Sequence, residues 1–307
     1  MKVAIKHRIV DFPNERSSHV IPTPRGGGLA IVMSWFTGIT ILFFADYIEN
    51  SLYFALMSGI LLAIVSLIDD IISLSPLTRL ITQIITAFIA LYFLKGITSV
   101  EFSVLKITSP IILLPLALIG IIWFINLFNF LDGIDGYASL EAITIALVLL
   151  IFSSNLVNLV LIASIAGFIF WNWPKAKIFM GDIGSTQLGF ILVVLGIYFH
   201  NTSQFSIIHW VMISSLFWFD ATLTLFRRWR NNEKLSVAHR KHVYQRAVQS
   251  GMSHNKTILI SLVLNIVIGG FIFISAEIDF LMVPLFIFNL LLLYLITRII
   301  DGRVPFK

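Results

Sequence analysis

Long, nearly uninterrupted apolar runs alternate along the chain with short polar stretches, and the runs have the length a bilayer requires. Crossing about 30 Å of hydrocarbon at 1.5 Å per residue takes roughly 20 mostly apolar residues in a helix. Ten such runs occur, near 28–45, 51–68, 80–94, 110–128, 137–153, 156–173, 184–200, 207–226, 256–275 and 280–298. Their apolar positions are contiguous rather than alternating, which predicts helices and not the strands of a membrane barrel. The expected fold is an all-α polytopic membrane protein of about ten transmembrane helices. The 95–109 segment, with its Thr, Ser and Val, predicts a small hairpin. Residues 1–27 are polar, without the apolar stretch a signal peptide needs.

Composition sharpens this picture. Of 307 residues, 58% are hydrophobic and 12% charged, and cysteine is absent. Soluble domains carry about 25% charge, so an ordinary globule and a disordered chain are both excluded, as is a disulfide scaffold. Charge then orients the chain. With the N-terminus inside, one face collects residues 1–27, 69–79, 129–136, 174–183, 227–255 and the tail after about 298. Those stretches and their edges hold 19 of the 21 Lys and Arg, leaving only Lys95 and Lys106 outside. Basic residues stay on the cytoplasmic side, so both termini are expected there. The net charge of +5 is thus a topology signal first, and a sign of anionic lipids or substrates second. No fixed-period repeat, low-complexity tract or linker divides the chain, and residues 1–307 are taken as one integral-membrane domain.

The inner face also gathers acids. Asp69, Asp70, Asp132, Asp135 and Asp182 adjoin apolar runs, where carboxylates are costly unless paired, hydrated or metal-bound. Any one of them is equally an ordinary helix-end residue in water; five on one side favour a shared site. Asn126, Asn129, Asp132 and Asp135 recur every three residues, a spacing that keeps side chains on one slowly turning helix face. Gly133 and Gly136 let the backbone leave the helix and approach a ligand, although Asn and Gly also simply terminate helices. Hard oxygen donors of this kind suit Mg²⁺, which keeps waters and shares its shell with substrate phosphates; no His/Cys pattern points to zinc.

Two more inner stretches carry chemistry. Residues 175–185 place Lys175, Lys177, Phe179, Asp182 and Ser185 around a Gly181 turn. This reads either as a helix entry capped by Ser185 or as a loop that presents Asp182 to a metal, with the two lysines as inside anchors. The 227–256 loop holds Arg227, Arg228, Arg230, Lys234, Arg240, Lys241 and Arg246, interleaved with His239, His242 and His254. Arg forks match phosphate oxygens and His donates to phosphate near neutrality. An anionic-lipid patch is the plainer use of such a loop. Nucleic-acid binding is not expected, since no stacking pattern accompanies the charge.

Taken in order, these motifs resemble the polyprenyl-phosphate N-acetylhexosamine-1-phosphate transferase family (glycosyltransferase family 4). The resemblance rests on Asp69-Asp70, on Asn126 to Gly136, on Phe179-Met-Gly-Asp-Ile-Gly-Ser185 and on His239-Arg-Lys-His242. Asp11 to His19 with Pro22-Thr-Pro-Arg-Gly-Gly-Gly28 is similar to the family's first inner loop. The loop around His239–His254, with Asp220 and Arg227-Arg228 before it, resembles the bacterial surface-glycan branch more than the muramyl-pentapeptide branch.

The resemblance implies transfer of sugar-1-phosphate from a UDP-N-acetylhexosamine to undecaprenyl phosphate with release of UMP, on the cytoplasmic face of the bacterial inner membrane. It would begin an O-antigen or other surface glycan. Mg²⁺, or Mn²⁺ in its place, would be held by Asp182 and Asn129. Asp69 is similar to the residue proposed to accept a proton from the lipid phosphate, with Asp70 in support. Asp135 and the Gly133 backbone would read the uracil, with Phe179 stacked on it. Arg79 would reach a phosphate, or serve as an inside anchor. His239, Arg240 and His242 would contact the diphosphate or sugar. Asn126 and His19 join the substrate residues, and Asp132 belongs to the site without a defined role. The lipid bilayer and a homodimer partner complete the expected associations.

The family normally has a further span before the first inner loop; either this chain lacks it or the natural start lies upstream of Met1. Two other classes compete. A secondary transporter would place its acids at mid-membrane in broken helices rather than at one face. A CDP-alcohol phosphotransferase would follow its D-G motif with Ala-Arg, whereas here Asp135-Gly-Tyr-Ala-Ser139 follows. An inactive family member is the remaining alternative.

Overall fold

The computed structural model describes residues 10–11, 22–102, 105–237 and 239–306. His19, expected at the substrate, lies outside them. A short antiparallel pair, β1 (Val10–Asp11) and β2 (Thr23–Pro24), precedes α1 (Gly28–Phe44), α2 (Asn50–Met57), α3 (Gly59–Ile72) and α4 (Pro76–Leu94). The expected hairpin follows, with β3 (Val100–Phe102) antiparallel to β4 (Leu105–Ile107). Next come α5 (Pro110–Phe130), α6 (Tyr137–Ser153), α7 (Leu156–Asn172) and α8 (Asp182–Asn201). Helices α9 (Ile207–Ile213), α10 (Ser215–Arg230), α11 (Val243–Gln249), α12 (His254–Glu277) and, after a 3₁₀ turn at Asp279–Leu281, α13 (Met282–Arg303) follow among the described residues.

Every apolar run thus forms helix, and the protein is a multi-pass membrane protein. The count of spans is where the structure differs from the sequence expectation. Six stretches are long and apolar enough to cross a bilayer: Asn50–Ile72, α4, α5, α8, α12 and Asp279–Arg303. The pair α9–α10, bent by 72°, makes a seventh if taken as one span. Helices α1, α6 and α7 have 17 residues each, about 25 Å at 1.5 Å per residue, short of the full hydrocarbon thickness.

Helix α8 is the axis of the bundle. Its membrane-length window is 94% buried, against 17–44% for the other long spans, and α1, α3, α5 and α6 pack around it. The outer helices keep Phe88, Ile111, Ile119 and Phe170 exposed, as lipid-facing surfaces do. Between helices, polar pairs act as glue where no water competes. Asn265 donates to Glu141 at 2.5 Å and Asn289 to Ser215 at 2.8 Å.

The two ends of α8 do different work. At its C-terminal end Asn201 donates to Leu94 O and Gly96 O and accepts from Thr98 N, tying down the start of the hairpin segment. At its N-terminal end lies the acid cluster.

Candidate active site

The N-terminus of α8 is built by residues far away in the chain. Asp70, near the end of α3, accepts the backbone N–H groups of Asp182 at 3.0 Å and Ile183 at 3.1 Å. These are orphan donors of a helix's first turn, and a carboxylate there also meets the positive end of the helix dipole. Gly181 has φ +75°, and a Cβ at this position would lie 2.8 Å from Asp70 Oδ2, so the turn needs glycine on both counts. The cap expected from Ser185 is instead supplied by Asp70. The preceding segment is bonded to the stretch before α1: Phe179 N donates to Pro24 O, and Gly27 N and Gly28 N donate to Phe179 O and Met180 O, at 2.8–2.9 Å. This ladder brings the charge of Arg25 close to Asp70, Asp132 and Asp182.

Beside that helix start lies a cavity of about 420 Å³, lined by Asp69, Arg79, Asn126, Asn129, Asp182, His239 and His242. Leu62, Val65, Leu80, Phe130 and Leu225 supply its apolar walls. Arg79 Nη1 lies 3.3 Å from Asp69 Oδ2 and 3.9 Å from Asp182 Oδ2. Asp69 is the enclosed partner, its side chain 6% exposed, and its Oδ1 also accepts Leu74 N at 2.5 Å. Asp182, 33% exposed, is the carboxylate that remains open to a ligand. Asn129 bonds the Asp182 carboxylate and donates to Ser185 Oγ at 3.0 Å. Asn126 exchanges hydrogen bonds with Gln83, at 2.8 and 3.3 Å.

The histidines form the facing wall. The rings of His239 and His242 are 4.8 Å apart. Burial, with His242 and Arg228 nearby, pushes His239 down to about 4, so its ring is neutral at physiological pH. Asp220 accepts Val243 N through both oxygens at 2.9 Å and lies 3.5 Å from His242 Nδ1. It thereby seats the helix start that carries His242. The arginines around them are less available to phosphate than their sequence pattern implied. Arg227 forks onto Asp301 at 3.0 and 3.1 Å, and Arg246 reaches the same carboxylate at 2.5 Å. Arg228 bonds Glu233 at 3.1 Å and the carbonyls of Lys234 and Val237. These three guanidinium groups are engaged by the protein's own acids and carbonyls.

Other expected site residues stand off the cavity wall. Asp70 is the helix cap just described. The three-residue register holds only for Asn126 and Asn129, because α5 ends at Phe130 and Asp132 and Asp135 fall in the following turn. Asp132 is half-buried; burial and the carboxylates of Asp182 and Asp70 push it up to about 7. Asp135 Oδ2 accepts Ala176 N at 3.1 Å and sits 3.3 Å from His254 Nδ1. Asn172 links the same two loops, accepting from Gly136 N and donating to Ile178 O. The expected base-reading residues Asp135 and Phe179 therefore lie on adjoining loops. Gly133 makes its close approach to protein: a Cβ there would lie 2.0 Å from the Tyr244 hydroxyl. Arg240 does not line the cavity, and its carbonyl accepts Gln249 Nε2 at 2.8 Å.

Sequence reasoning missed Gln83, Thr186, Gln245 and Tyr244. Gln83 had a signal, since it follows Arg79 by four residues and shares its helix face. Tyr244 had none: its hydroxyl donates to Phe130 O at 3.2 Å, across 114 residues of chain.

Among the described residues no three His, Cys, Asp or Glu side chains group as a metal cage. The cavity does hold the open carboxylate of Asp182 beside the amide of Asn129. That pair fits an ion such as Mg²⁺, which takes one or two protein ligands and fills its shell with waters and phosphate oxygens.

Comparison with known proteins shows which family the chain resembles. The family model for glycosyl transferase family 4 matches residues 52–200, the stretch holding Asp69, Arg79, Asn129 and Asp182. A probable undecaprenyl-phosphate N-acetylglucosaminyl 1-phosphate transferase of Bacillus subtilis (strain 168) is 33% identical over 286 residues, covering 89% of this chain and 77% of the relative. A decaprenyl-phosphate N-acetylglucosaminephosphotransferase of Mycobacterium leprae is 29% identical over 297 residues, covering 82% and 73%. An undecaprenyl-phosphate alpha-N-acetylglucosaminyl 1-phosphate transferase of Salmonella typhimurium is 28% identical over 286 residues, covering 87% and 77%. With a relative this similar along most of both chains, and with the family's motifs meeting at one end of α8, the protein belongs to glycosyl transferase family 4, among the polyprenyl-phosphate N-acetylhexosamine-1-phosphate transferases.

Proposed function

We propose that this protein transfers N-acetylglucosamine-1-phosphate from UDP-N-acetylglucosamine to undecaprenyl phosphate. An oxygen of the lipid phosphate attacks the sugar-bearing phosphorus, the bond to the UMP oxygen breaks, and UMP leaves with its electron pair. The product is a lipid diphosphate sugar, the first lipid-linked intermediate of a surface glycan. The observation that carries this reading is the cavity itself. One guanidinium, two carboxylates and two histidines converge there between apolar walls, a combination suited to a phosphate on a hydrocarbon tail meeting a diphosphate.

In this scheme the chain's residues mainly position and neutralise, which is most of what phosphoryl transfer requires. Arg79 binds phosphate oxygens. Asp69, with both oxygens already engaged, orients Arg79; the lipid phosphate is largely ionised near neutrality and needs little base assistance. His239, kept neutral, donates to a phosphate or sugar oxygen, and His242 lies beside it. Asp182 and Asn129 would hold Mg²⁺, which would supply charge neutralisation on the diphosphate. Asp135 and Phe179 would receive the uracil. The membrane arrangement proposed with this chemistry has ten spans, counting α1, α6 and α7 together with the bent pair. Both termini and the cavity then lie on the cytoplasmic side of the inner membrane, where basic residues concentrate.

The test is UMP release by detergent-purified protein with undecaprenyl phosphate and a panel of UDP-N-acetylhexosamines, with Mg²⁺ or EDTA, and with Asp182→Ala. UMP that requires lipid and metal, is greatest with UDP-N-acetylglucosamine and disappears in the variant is the expected result. A folded protein silent with every donor would overturn the reading.

A further inference from the structure

The cations around the two histidines are held by the far end of the chain. Asp301, in the last turn of α13, takes Arg227 at 3.0 and 3.1 Å and Arg246 at 2.5 Å. Arg246 also donates to Val304 O. Beyond it, the ring of Phe306 faces three cations: its centroid lies 4.0 Å from Arg227 Cζ, 5.4 Å from Arg246 Cζ and 5.4 Å from Lys241 Nζ. A guanidinium or ammonium within about 6 Å of a ring centroid is attracted to its negative face. One carboxylate and one ring therefore offset three like charges that would otherwise repel.

Two of these cations, Lys241 and Arg246, belong to the segment that carries the cavity's histidines, and Arg227 lies on α10 beside it. Lys241 sits between Arg240 and His242, and its amine also bonds Glu233 at 2.7 Å. Arg246 lies one helical turn after His242, and its backbone N–H donates to His242 O at 3.0 Å. Its side chain is 2% exposed, so α11 turns only if that guanidinium leaves Asp301. His242 is the N-cap of α11, and the direction of its ring follows the seating of that helix.

We propose that residues 301–306 form a positioning clamp on the His239–His242 segment, with Asp301 and Phe306 as positioning residues that keep both imidazoles facing the cavity. Phe306 acts through Lys241 and Arg246, with Arg227 nearest its ring. The consequence for donor binding rests on the transferase reading above, whereas the effect on segment order does not.

The experiment compares Phe306→Ala, Phe306→Leu and Phe306→Trp in detergent-purified full-length protein by amide hydrogen exchange, thermal midpoint and UMP-release kinetics. In Phe306→Ala, exchange over residues 239–246 is expected to rise about tenfold, the scale of losing one to two kcal/mol of cation–π contact. The donor KM is expected to rise to a similar degree, with acceptor KM unchanged and the thermal midpoint lowered by no more than a few degrees. Tryptophan restores both readouts, whereas leucine, which keeps apolar bulk without a π face, does not. Unchanged exchange over 239–246 in Phe306→Ala overturns the clamp. So does a loss that leucine rescues as well as tryptophan, or a rise in exchange spread evenly along the chain rather than centred on 239–246. If the wild type releases no UMP, the transferase reading fails, and the exchange data alone still decide the clamp.

Discussion

The carboxylate of Asp70 accepts the backbone N–H of Asp182 at 3.0 Å, so one acid of the site holds the helix turn that presents the other. The adjacent pair Asp69-Asp70 is therefore divided in labour. Asp69 faces the cavity with Arg79, and Asp70 faces the start of α8.

That division predicts opposite signatures on mutation. Asp70→Ala leaves two first-turn donors without their carboxylate and is expected to lower stability by about 1–2 kcal/mol, the cost of a lost helix cap. Asp182→Ala leaves the cap in place; it is expected to keep the thermal midpoint while cutting turnover at least about 100-fold. Thermal unfolding and UMP release measured on both variants check the contrast, and equal stability losses would sink it.

Arg79 bridges two carboxylates but is itself 43% exposed. An ion pair so open to water contributes little to stability, within about 1 kcal/mol. Arg79→Lys is accordingly expected to fold as well as the wild type. Losing the planar fork, it should weaken substrate binding by roughly tenfold, seen as a raised KM.

Two titrations with opposite signs are expected in the ligand-free protein. Asp132, pushed up to about 7, keeps its proton in the folded state over a range where the unfolded chain has lost it. Its contribution to stability is present at acid pH and is lost as pH rises through 7. His239, pushed down to about 4, stays neutral where the unfolded chain is protonated. Its contribution is present above the ordinary histidine value and is lost as pH falls toward 4. Thermal midpoints from pH 4 to 8 for Asp132→Asn and His239→Asn, each against the wild type, separate the two slopes; identical profiles would refute both.

Gly133 and Tyr244 are predicted to be coupled. A Cβ at position 133 would lie 2.0 Å from the Tyr244 hydroxyl, so Gly133→Ala is expected to cost about 1–3 kcal/mol by overpacking. Tyr244→Phe loses the bond to Phe130 O, about 1 kcal/mol, but removes the clashing oxygen. The double variant should be more stable than the sum of the single losses. A strictly additive cycle would show that the approach is not the constraint.

The fold was legible in the sequence where the signal is local. Each apolar run became helix, because hydrocarbon leaves a backbone no alternative to internal hydrogen bonding, and the hairpin formed within 95–109 by pairing of two neighbouring strands. The count of spans was less legible, since run length alone does not tell a full crossing from a 17-residue helix. At the site, Asp69, Asn126, Asn129, Asp182, His239 and His242 were read from type and spacing and Arg79 from the family resemblance, and all seven line one cavity. Asp132 and Asp135 shared that spacing but not that wall, because the helix ends between Asn129 and Asp132.

By itself, then, the sequence determined a multi-pass helical protein that carries the motifs of its family. Hydrophobicity and charge act residue by residue against lipid and water, so they need no knowledge of partners. Only the tertiary structure decided which charges face a ligand and which are spent on the fold. Asp70 finds Asp182 across 112 residues, and Arg227 finds Asp301 across 74. A guanidinium or carboxylate binds whichever counter-group the packing of helices brings within 3 Å, and spacing along the chain carries no record of that choice.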